Sequence, residues 1–487
     1  MMIETVSQTR IKGVILAAGR GVRAYPATKY IPKALLDISG NSLIERNIDI
    51  MRHQLQIDEI IVVVGYLGAQ IKELLTQRYS DLRLTFVQQK SQNGIGAALL
   101  EVEPYVGDGP FVVMLGDEFY LDSNHHQLQD YLDTDVDAVL MFKEELDKVK
   151  VANNYTGLFQ GQRIVSLVEK PENPDSPLMG TGTYFFLNRK IFSYIQNTPP
   201  SELRGEVEIT DALSNMAKGE NMHRCILSGT YLNVNSVDDL NMANYIYREK
   251  HFDTYRVSVV IPAYNEESTI AAVVMDYLHH DCVDEVIVVD NNSKDQTAAV
   301  AQNAGARVVT EYNQGYGCAL RRGLDEARGD IIILTEADGS FQARDVHKFV
   351  HYLKDCDMVI GTRTTRQMIE QGANMHGLLR WGNVIVGKLV EALWWSQEPR
   401  FTDVGCTYRA IWKSSYDKIR PYLNARGPDF APEMMIAILI CRRRIIEIPV
   451  TYRRRIHGES KHSGYFLAQA KTAVKMLKLI FRYRMKY

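Results

Sequence analysis

Cysteine is scarce in this chain, and its six cysteines among 487 residues are scattered without a CxxC pair. Neither a disulfide framework nor a zinc site is therefore indicated. The first residues, MMIETVSQTRIKG, lack the continuous apolar region of a secretory signal. Together these features predict a protein of the reducing cytoplasm.

Long apolar runs and a strong charge of either sign are also absent. The most apolar stretches, EMMIAILIC and VIVGKLVEALWW, are shorter than the roughly 20 residues needed to cross a bilayer, so no membrane span is predicted. The formal net charge is −3, which gives no reason to expect nucleic-acid binding. Any electrostatic attraction to a partner must come from local groups of charge.

What the sequence does contain is an alternation of short β-branched runs with helical stretches, which occurs twice. From residue 11 the runs include GVILAA, EIIVVVG and FVVMLGD, and from residue 257 they include VSVVIPA, EVIVVDN and DIIILTE. The pattern predicts an α/β protein of two Rossmann-like domains with mostly parallel sheets. We place the junction in NYIYREKHFDTYR, which gives domains of residues 1–250 and 251–487.

A glycine-rich, basic loop follows the first run and reads LAAGRGVRAYPATKYIPKALL. Open α/β sheets bind ligands beyond the carboxyl ends of their strands, which is where this loop is expected. Gly19 and Gly21 would let backbone amides approach a phosphate, while Arg23 and Lys33 would supply charge for a leaving pyrophosphate. The alternative is an ordinary glycine-rich turn with solvated basic side chains.

Residues up to about 245 resemble the sugar-1-phosphate nucleotidylyltransferase family. The family's opening motif, LAAGxGxRxxPxTxxxPK, is matched except at Val22, and QQKSQNGIGAAL, MLGDEF, VEKP, GTGTYFF and GEVEITDAL follow in order. The resemblance implies that an NTP and a sugar-1-phosphate react with Mg²⁺ present to give an NDP-sugar and pyrophosphate. It implies three kinds of site residue: catalytic cations at Arg23, Lys33 and Lys170; nucleotide or sugar contacts at Leu16, Ala17, Ala18, Gly19, Gly21, Gln89, Gly94, Glu169, Gly182 and the segment of Glu206 and Asp211; and metal ligands at Asp117 and Asn233.

One segment departs from the family pattern. The motif WxDxGT is replaced by YLNVNS, which puts Asn233 at the metal-binding aspartate and Asn235 at the glycine. A neutral amide oxygen is a weaker Mg²⁺ ligand than a carboxylate. Either the ion relies on Asp117 and the phosphates, or this half binds nucleotide with little turnover.

Residues from 257 onward resemble family 2 glycosyltransferases of the GT-A fold, in particular the dolichyl- and polyprenyl-phosphate mannose synthase branch. The motifs are VVIPAYNEE, VIVVDNNSKDQT, NQGYGCALRRGL, GDIIILTEADGSF and DMVIGTRTT. The resemblance implies four kinds of site residue: nucleotide contacts at Pro262, Tyr264, Glu266 and Asp290; ligands of Mg²⁺ or Mn²⁺ at Glu336 and Asp338; a reaction centre at Asp338 and Asp403; and acceptor-phosphate contacts at Arg363, Arg380, Arg455 and Lys461.

Four of these positions have alternatives or a separate physical argument. In an extended segment Glu336 and Asp338 would point the same way and meet one divalent cation. Asp290 alternatively closes an Asx turn, and Arg380 alternatively lies on a solvated helix face.

The last residues, YFLAQAKTAVKMLKLIFRYRMKY, have the spacing of a basic amphipathic helix. Its apolar positions are Phe466, Ala470, Ala473, Leu477 and Ile480, flanked by lysines and an arginine. Such a helix can lie in the interface of an anionic leaflet, which predicts a cytoplasmic protein with peripheral membrane contact. The alternative is a helix packed on its own domain.

The combined prediction is a bifunctional enzyme that makes an NDP-sugar and transfers a glycosyl group to an acceptor, a polyprenyl phosphate. Its partners would be an NTP, a sugar-1-phosphate, an NDP-sugar and a lipid phosphate, with no nucleic acid and with oligomerisation left open. Two alternatives remain: the first half is a nucleotide-binding regulatory module, or it activates a non-sugar phosphate.

Overall fold

The computed structural model describes residues 10–90, 93–201, 205–371, 373, 377–456 and 466–487, without the side chains of 377–379 and 466–471. The chain divides into two compact units, Met1–Tyr247 and Arg248–Tyr487. The sequence-based boundary was placed after residue 250.

The first unit alternates strands with helices. Its strands are β1 Lys12–Ala17, β2 Asp37–Ile38, β3 Asn41–Ser42, β4 Glu59–Val64, β5 Arg83–Gln88, β6 Phe111–Leu115, β7 Glu118–Leu121, β8 Ala138–Glu144, β9 Tyr155–Gln160, β10 Arg163–Glu169, β11 Leu178–Phe186, β12 Met222–Leu227 and β13 Thr230–Asn233. Its helices are α1 Leu43–Gln54, α2 Gly68–Arg78, α3 Ile95–Leu100, α4 Glu103–Val106, α5 Lys148–Ala152, α6 Lys190–Gln196, α7 Ile209–Gly219 and α8 Val237–Lys250, the last of which continues past Tyr247.

The main sheet of the first unit has nine strands in the order β5-β4-β1-β6-β11-β8-β12-β10-β9. Strands β5, β4, β1 and β6 are parallel, whereas β11 joins β6 and β8 in antiparallel pairs. Alternate residues of β1 enter different cores, with Val14 and Leu16 on one face and Ile15 and Ala17 on the other. Both faces are buried, so the strand reads as a continuous apolar run.

The second unit repeats the alternation on a smaller scale. Its strands are β14 Val257–Ala263, β15 Glu285–Asp290, β16 Arg307–Thr310, β17 Ile331–Leu334, β18 Met358–Thr362, β19 Arg409–Trp412 and β20 Ile445–Pro449. Its helices are α9 Ile270–Leu278, α10 Thr297–Asn303, α11 Tyr316–Glu326, α12 Val346–Tyr352, α13 Gly377–Leu393, α14 Lys413–Ile419, α15 Phe430–Ile440 and α16 Phe466–Lys486.

The sheet of the second unit has seven strands in the order β16-β15-β14-β17-β19-β18-β20. All pairs are parallel except the two made by β19. Val259 and Ile261 of β14 pack into one core and Val260 into the other, as a strand covered on both faces requires. The predicted α/β class with two mixed, largely parallel sheets is confirmed.

Helix α16 packs part of its apolar side chains within the second unit. Leu479, Ile480 and Tyr483 belong to the buried core beside α15, and Leu477 packs against that core. The part of the predicted apolar face at Leu477 and Ile480 is therefore turned inward. Within the described residues, no helix combines the length and apolarity that a bilayer crossing requires.

Candidate active sites

The first candidate site lies on the loop after β1, at the carboxyl edge of the parallel strands. Residues 16–18 end the strand and are buried, and Gly19 begins the exposed part of the loop. Gly21 has φ +62°, and a side chain built there would stand 3.0 Å from Cβ of Lys33. A glycine is needed because the left-handed turn packs directly on the lysine.

A group of four side chains joins this loop to two later segments. Lys33 Nζ lies 2.5 Å from Asp117 Oδ2 and donates to Asn235 Oδ1 at 2.9 Å. Arg23 Nη2 donates to the same Asn235 oxygen at 2.6 Å. The structure thus brings together Arg23, Lys33 and Asp117, which the sequence indicated, with Asn235, which had been noted only as a departure from a glycine.

Asn233 ends the strand that pairs with the segment after Asp117. Strand β13 pairs with β7 so that Asn233 is opposite Glu118, and the backbone amide of Val234 donates to the carbonyl of Asp117 at 3.0 Å. Asn233 Oδ1 is buried and, among the described residues, has no hydrogen-bond partner. A buried acceptor normally has a partner, so an unpaired amide oxygen at this position suits a cation ligand.

Glu118 was missed by the sequence reasoning although it follows Asp117 directly. Its carboxylate is fully buried and accepts hydrogen bonds from Tyr120, from Tyr231 at 2.6 Å and from the Gly182 amide at 2.9 Å. Burial raises the pKa of Glu118 to about 7. A side chain at Gly182 would stand 2.6 Å from Glu118 Oε2, so this position excludes any larger residue.

The remaining predicted residues of the first unit lie at ends of other strands. Gln89 follows β5 and its backbone amide donates to the carbonyl of Val64, and Gly94 directly precedes α3. Glu169 ends β10 and accepts from Thr210 at 2.9 Å, with Lys170 directly after it. Gln89, Gly94 and Glu169 stay predictions as nucleotide or sugar contacts, and Lys170 stays a predicted catalytic cation.

The second candidate site lies at the carboxyl edge of β14, β15 and β17. Pro262 belongs to the end of β14, and Tyr264 and Glu266 follow it. Asp290 ends β15, where its Oδ2 accepts from the Ser293 amide at 3.4 Å, the contact of the Asx-turn alternative. Its Oδ1 is buried without a partner among the described residues, which leaves an acceptor for a ligand.

Glu336 and Asp338 follow β17, but the strand ends at Leu334 and a turn begins at Ala337. The extended geometry assumed from the sequence is therefore wrong at this point. Burial, together with the charge of Asp338, raises the pKa of Glu336 to about 7. Thr407 Oγ1 donates to Glu336 Oε1 at 2.9 Å, a contact that the sequence gave no means to predict.

Arg455 forms an ion pair with the carboxylate of Asp338. Its Nε lies 3.0 Å from Asp338 Oδ2, and the Ser340 amide donates to Asp338 Oδ1 at 2.9 Å. Arg455 was expected at an acceptor phosphate, and in the structure it pairs with a predicted metal ligand. Arg380 lies half-buried in α13, and Lys461 falls outside the described residues.

Asp403 and Arg363 form a closed pair. The Arg363 Nε and Nη2 groups donate to the two Asp403 oxygens at 2.8 and 3.0 Å, and the Arg363 amide donates to Oδ2 at 3.0 Å. Asp403 is fully buried. Burial disfavours the charged form of Arg363, but the neighbouring Asp403 holds the pKa of Arg363 well above its usual range.

Comparison with known proteins assigns both units. The nucleotidyl transferase family model matches residues 12–250, and glycosyl transferase family 2 matches residues 258–417. The chain is 30% identical over 251 residues to the UTP–glucose-1-phosphate uridylyltransferase AglF of Haloferax volcanii, covering 49% of this chain and 98% of that protein. It is 32% identical over 234 residues to the bifunctional protein GlmU of Methanococcus aeolicus, covering 47% of this chain and 53% of that protein.

The chain thus spans about half the length of the GlmU proteins that it matches. Among solved structures, a UDP-glucose pyrophosphorylase complexed with UDP-glucose is 26% identical with a TM-score of 0.44, covering 50% of this chain and 99% of that one. The chain belongs to the nucleotidyl transferase family through its first unit and carries a family 2 glycosyltransferase domain in its second.

Proposed function

We propose that the chain is a bifunctional transferase: the first unit joins an NTP to a sugar-1-phosphate, and the second transfers a glycosyl group from an NDP-sugar to a polyprenyl phosphate. The observation that carries the first half is the group of Arg23, Lys33, Asp117 and Asn235 at the carboxyl edge of parallel strands. Cations and a carboxylate gathered at such an edge suit the binding of a metal–diphosphate.

In the first reaction an oxygen of the sugar phosphate attacks the α-phosphorus of the NTP. The bond from that phosphorus to the bridging β-phosphate oxygen breaks, and the electron pair leaves with pyrophosphate. The second pKa of a phosphate ester is near 6, so the attacking oxygen is already anionic at neutral pH and needs no side-chain base. Lys33 and Arg23 would orient the phosphates and stabilise the charge on the leaving group.

Asp117 and Asn233 would hold the divalent ion of this site, for which Mg²⁺ is proposed. The side-chain oxygens of both residues suit that ion. Asn233 Oδ1, in the strand that pairs with β7, has no hydrogen-bond partner among the described residues and therefore has a lone pair for the ion. When bound, the ion would neutralise charge on the phosphates. UTP and a hexose-1-phosphate are the first substrates to test, because the H. volcanii relative is named for UTP and glucose-1-phosphate. The Gln89 side chain also offers both a donor and an acceptor to a pyrimidine edge.

In the second reaction a phosphate oxygen of the acceptor attacks the anomeric carbon, and the bond to the nucleoside diphosphate breaks. The pairing of Asp403 favours a phosphate over a hydroxyl acceptor, because a hydroxyl needs a free general base and both Asp403 oxygens accept from Arg363. Glu336 and Asp338 would hold Mg²⁺ or Mn²⁺ on the diphosphate. Once released from Asp338, Arg455 would be free to bind phosphate with its two-pronged fork.

A lipid acceptor requires contact with a membrane surface, and α16 offers one outward face for it. Val474, Phe481 and Met485 are exposed, and Lys478 and Arg482 lie beside them. Apolar side chains among cations favour the interface of an anionic leaflet. Peripheral attachment is thus part of the proposal, carried by a different face of the helix from that predicted.

The two reactions can be separated with two variants. We expect Asp117→Ala to abolish pyrophosphate release from UTP, glucose-1-phosphate and Mg²⁺, while transfer from supplied UDP-sugar to a polyprenyl phosphate continues. Asp338→Ala should show the reverse. Mass spectrometry of the nucleotide sugar and thin-layer chromatography of the lipid product follow the two activities.

Two outcomes would contradict the proposal. Loss of both reactions in either single variant would contradict two independent sites. Silence of the intact chain with every NTP and sugar-1-phosphate, while glycosyl transfer proceeds, would leave the first unit as a nucleotide-binding regulatory module.

A further inference from the structure

We propose that His280, Asp281, Cys282 and His347 form a binding site for a divalent transition-metal ion of the zinc type. One ligand atom from each of these residues lies within 4.8 Å of the others. The first three residues form the loop between α9 and β15, and His347 lies in the first turn of α12. The sequence suggested no zinc site because the fourth residue is 65 positions from the cysteine and no CxxC pair is present.

The distances within the cluster are close to those of a tetrahedral site. Zinc bonds of about 2.0–2.3 Å put neighbouring ligand atoms roughly 3.3–3.8 Å apart. Asp281 Oδ1 lies 3.3 Å from His280 Nδ1 and 3.3 Å from His347 Nε2. Cys282 Sγ lies 3.3 Å from Nδ1, the other nitrogen of the His347 ring, and the centroids of the two imidazole rings are 4.4 Å apart. Because His347 binds one ion through one nitrogen, closing the site requires this ring to turn so that the same nitrogen faces the ion beside both Asp281 and Cys282.

Hydrogen bonds link side chains of the cluster. The Cys282 amide donates to His280 Nδ1 at 3.2 Å, so an ion bound through this nitrogen would replace that hydrogen bond. The neutral His347 ring has one N–H and one lone pair, so Nε2 can donate to Asp281 while Nδ1 accepts from the Cys282 thiol. A metal ion would replace these hydrogen bonds with ligand bonds and would release the thiol proton.

The ligand set selects the class of ion. Imidazole nitrogen and thiolate sulfur suit zinc and its neighbours, whereas Mg²⁺ and Mn²⁺ prefer the oxygen-only sets of the two candidate active sites. The His280 side chain is 9% exposed and that of Asp281 is 76% exposed, so the site has a buried anchor and an open side for entry. This combination of a buried and an exposed ligand is that of a metal site at the protein surface.

The site is also separate from the glycosyl-transfer site. Asp284, two residues after Cys282, exchanges hydrogen bonds with Val257 at the first residue of β14, which places the loop at the amino edge of the sheet. Glu336, Asp338 and Asp290 lie at the carboxyl edge. A metal bound to the cluster would join the α9–β15 loop to α12 and stabilise the second unit without contacting the sugar donor.

The experiment uses the full chain, freed of purification tag and of metal, in the absence of nucleotide. Isothermal titration with Zn²⁺ measures stoichiometry and affinity, and titration with Co²⁺ reports a thiolate ligand through its sulfur-to-cobalt charge-transfer band. We expect one high-affinity Zn²⁺ per chain. His347→Ala and Cys282→Ser should weaken it by at least about tenfold, the smallest loss usual for a residue supporting a metal, and Cys282→Ser should remove the charge-transfer band.

Matched variants distinguish the cluster from other side chains. His351→Ala, one turn along α12, and Cys441→Ser, at the end of α15, should leave the zinc affinity and the cobalt spectrum unchanged. Asp338→Ala should also leave them unchanged, which separates this site from the proposed catalytic ion. Absence of Zn²⁺ binding, or binding of undiminished affinity in both cluster variants, would overturn the proposal.

Discussion

Asn233 brings an uncharged oxygen to a position where its relatives are expected to hold a carboxylate. The unpartnered Oδ1 is the only feature of this residue that points toward a ligand, and a second negative charge would bind a divalent ion more tightly. We expect Asn233→Asp to lower the Mg²⁺ concentration for half-maximal pyrophosphate release by about tenfold, or about 1.4 kcal/mol. In metal-free buffer the same variant should melt at a lower temperature, because it adds charge near Asp117 and Glu118.

The control is Asn215→Asp on the exposed side of α7, which keeps an oxygen for Lys218. It should change neither the Mg²⁺ requirement nor the melting temperature. An unchanged Mg²⁺ requirement in Asn233→Asp would mean that this side chain does not face the ion.

Glu118 should make the stability of the first unit depend on pH. Its pKa of about 7 in the folded chain is above the value of about 4.3 for an exposed glutamate, so folding takes up a proton between these two values. The stabilisation is complete below pH 4.3 and is lost as the pH rises to 7. At 1.36 kcal/mol per unit, the free energy of unfolding should fall by roughly 3 kcal/mol over that interval.

Glu118→Gln should flatten this dependence, since the amide has no proton to lose. All four tryptophans lie within residues 381–412, which belong to the second unit. An unfolding transition that is seen by circular dichroism but not by tryptophan fluorescence therefore reports on the first unit. Glu144→Gln, at the exposed end of β8, is the control and should keep the wild-type slope. Equal slopes in Glu118→Gln and the wild type would contradict the assignment.

At the scale of elements, apolar runs and their spacing predicted the strands that lie deepest in each sheet. The run VSVVIPA became β14, and GVILAA became β1 with the glycine-rich loop after it. The pattern was less informative where partners are distant. Nothing near Glu336 in the sequence indicates Thr407, and nothing near Lys33 indicates Asn235, because the sheet order rather than local spacing brings them together.

Helix α16 shows how two uses of one amphipathic pattern can be confused. Its spacing suits both a membrane surface and a core, and burial decides that Ile480 and Leu479 belong to the core. Phe481 and Met485 remain outside and are 47% and 83% exposed. A prediction of membrane contact must therefore be tested on these outer side chains.

We expect the double variant Phe481→Ser and Met485→Ser to reduce co-sedimentation with anionic vesicles several-fold, since each buried aromatic or methionine side chain contributes about 1.5–3 kcal/mol at most. High salt should weaken binding of the wild type, because the neighbouring cations would be screened. Tyr312→Ser is the control, since Tyr312 is 79% exposed elsewhere in the second unit. Equal vesicle binding by both variants would remove α16 from the interface.

At the scale of the whole molecule, the first residue of the second unit is part of its core. Arg248 is 2% exposed and its Nη2 lies 2.7 Å from Asp357 Oδ1, while its guanidinium also stands over the Trp412 ring. Burial acts to raise the pKa of Asp357, but the charge of Arg248 and other donors keep it lowered. Arg248 and Asp357 thus belong to the same compact unit.

Arg248→Met should therefore destabilise the second unit by about 3–5 kcal/mol, the usual loss when a buried charge is left without its partner. Urea unfolding followed by tryptophan fluorescence measures it. Adding Asp357→Asn should recover part of the loss, because it removes the uncompensated charge. A double variant no more stable than Arg248→Met would show that lost packing, and not charge, dominates.

At both candidate sites a basic side chain pairs with the carboxylate proposed to hold the ion: Lys33 with Asp117, and Arg455 with Asp338. A divalent ion that binds without nucleotide must displace the basic side chain by itself and break the existing ion pair. A nucleotide chelate instead carries its own anions, which can draw the ammonium or guanidinium away while the metal takes over the aspartate. We therefore expect each pocket to load metal and nucleotide as one complex, through an exchange of partners.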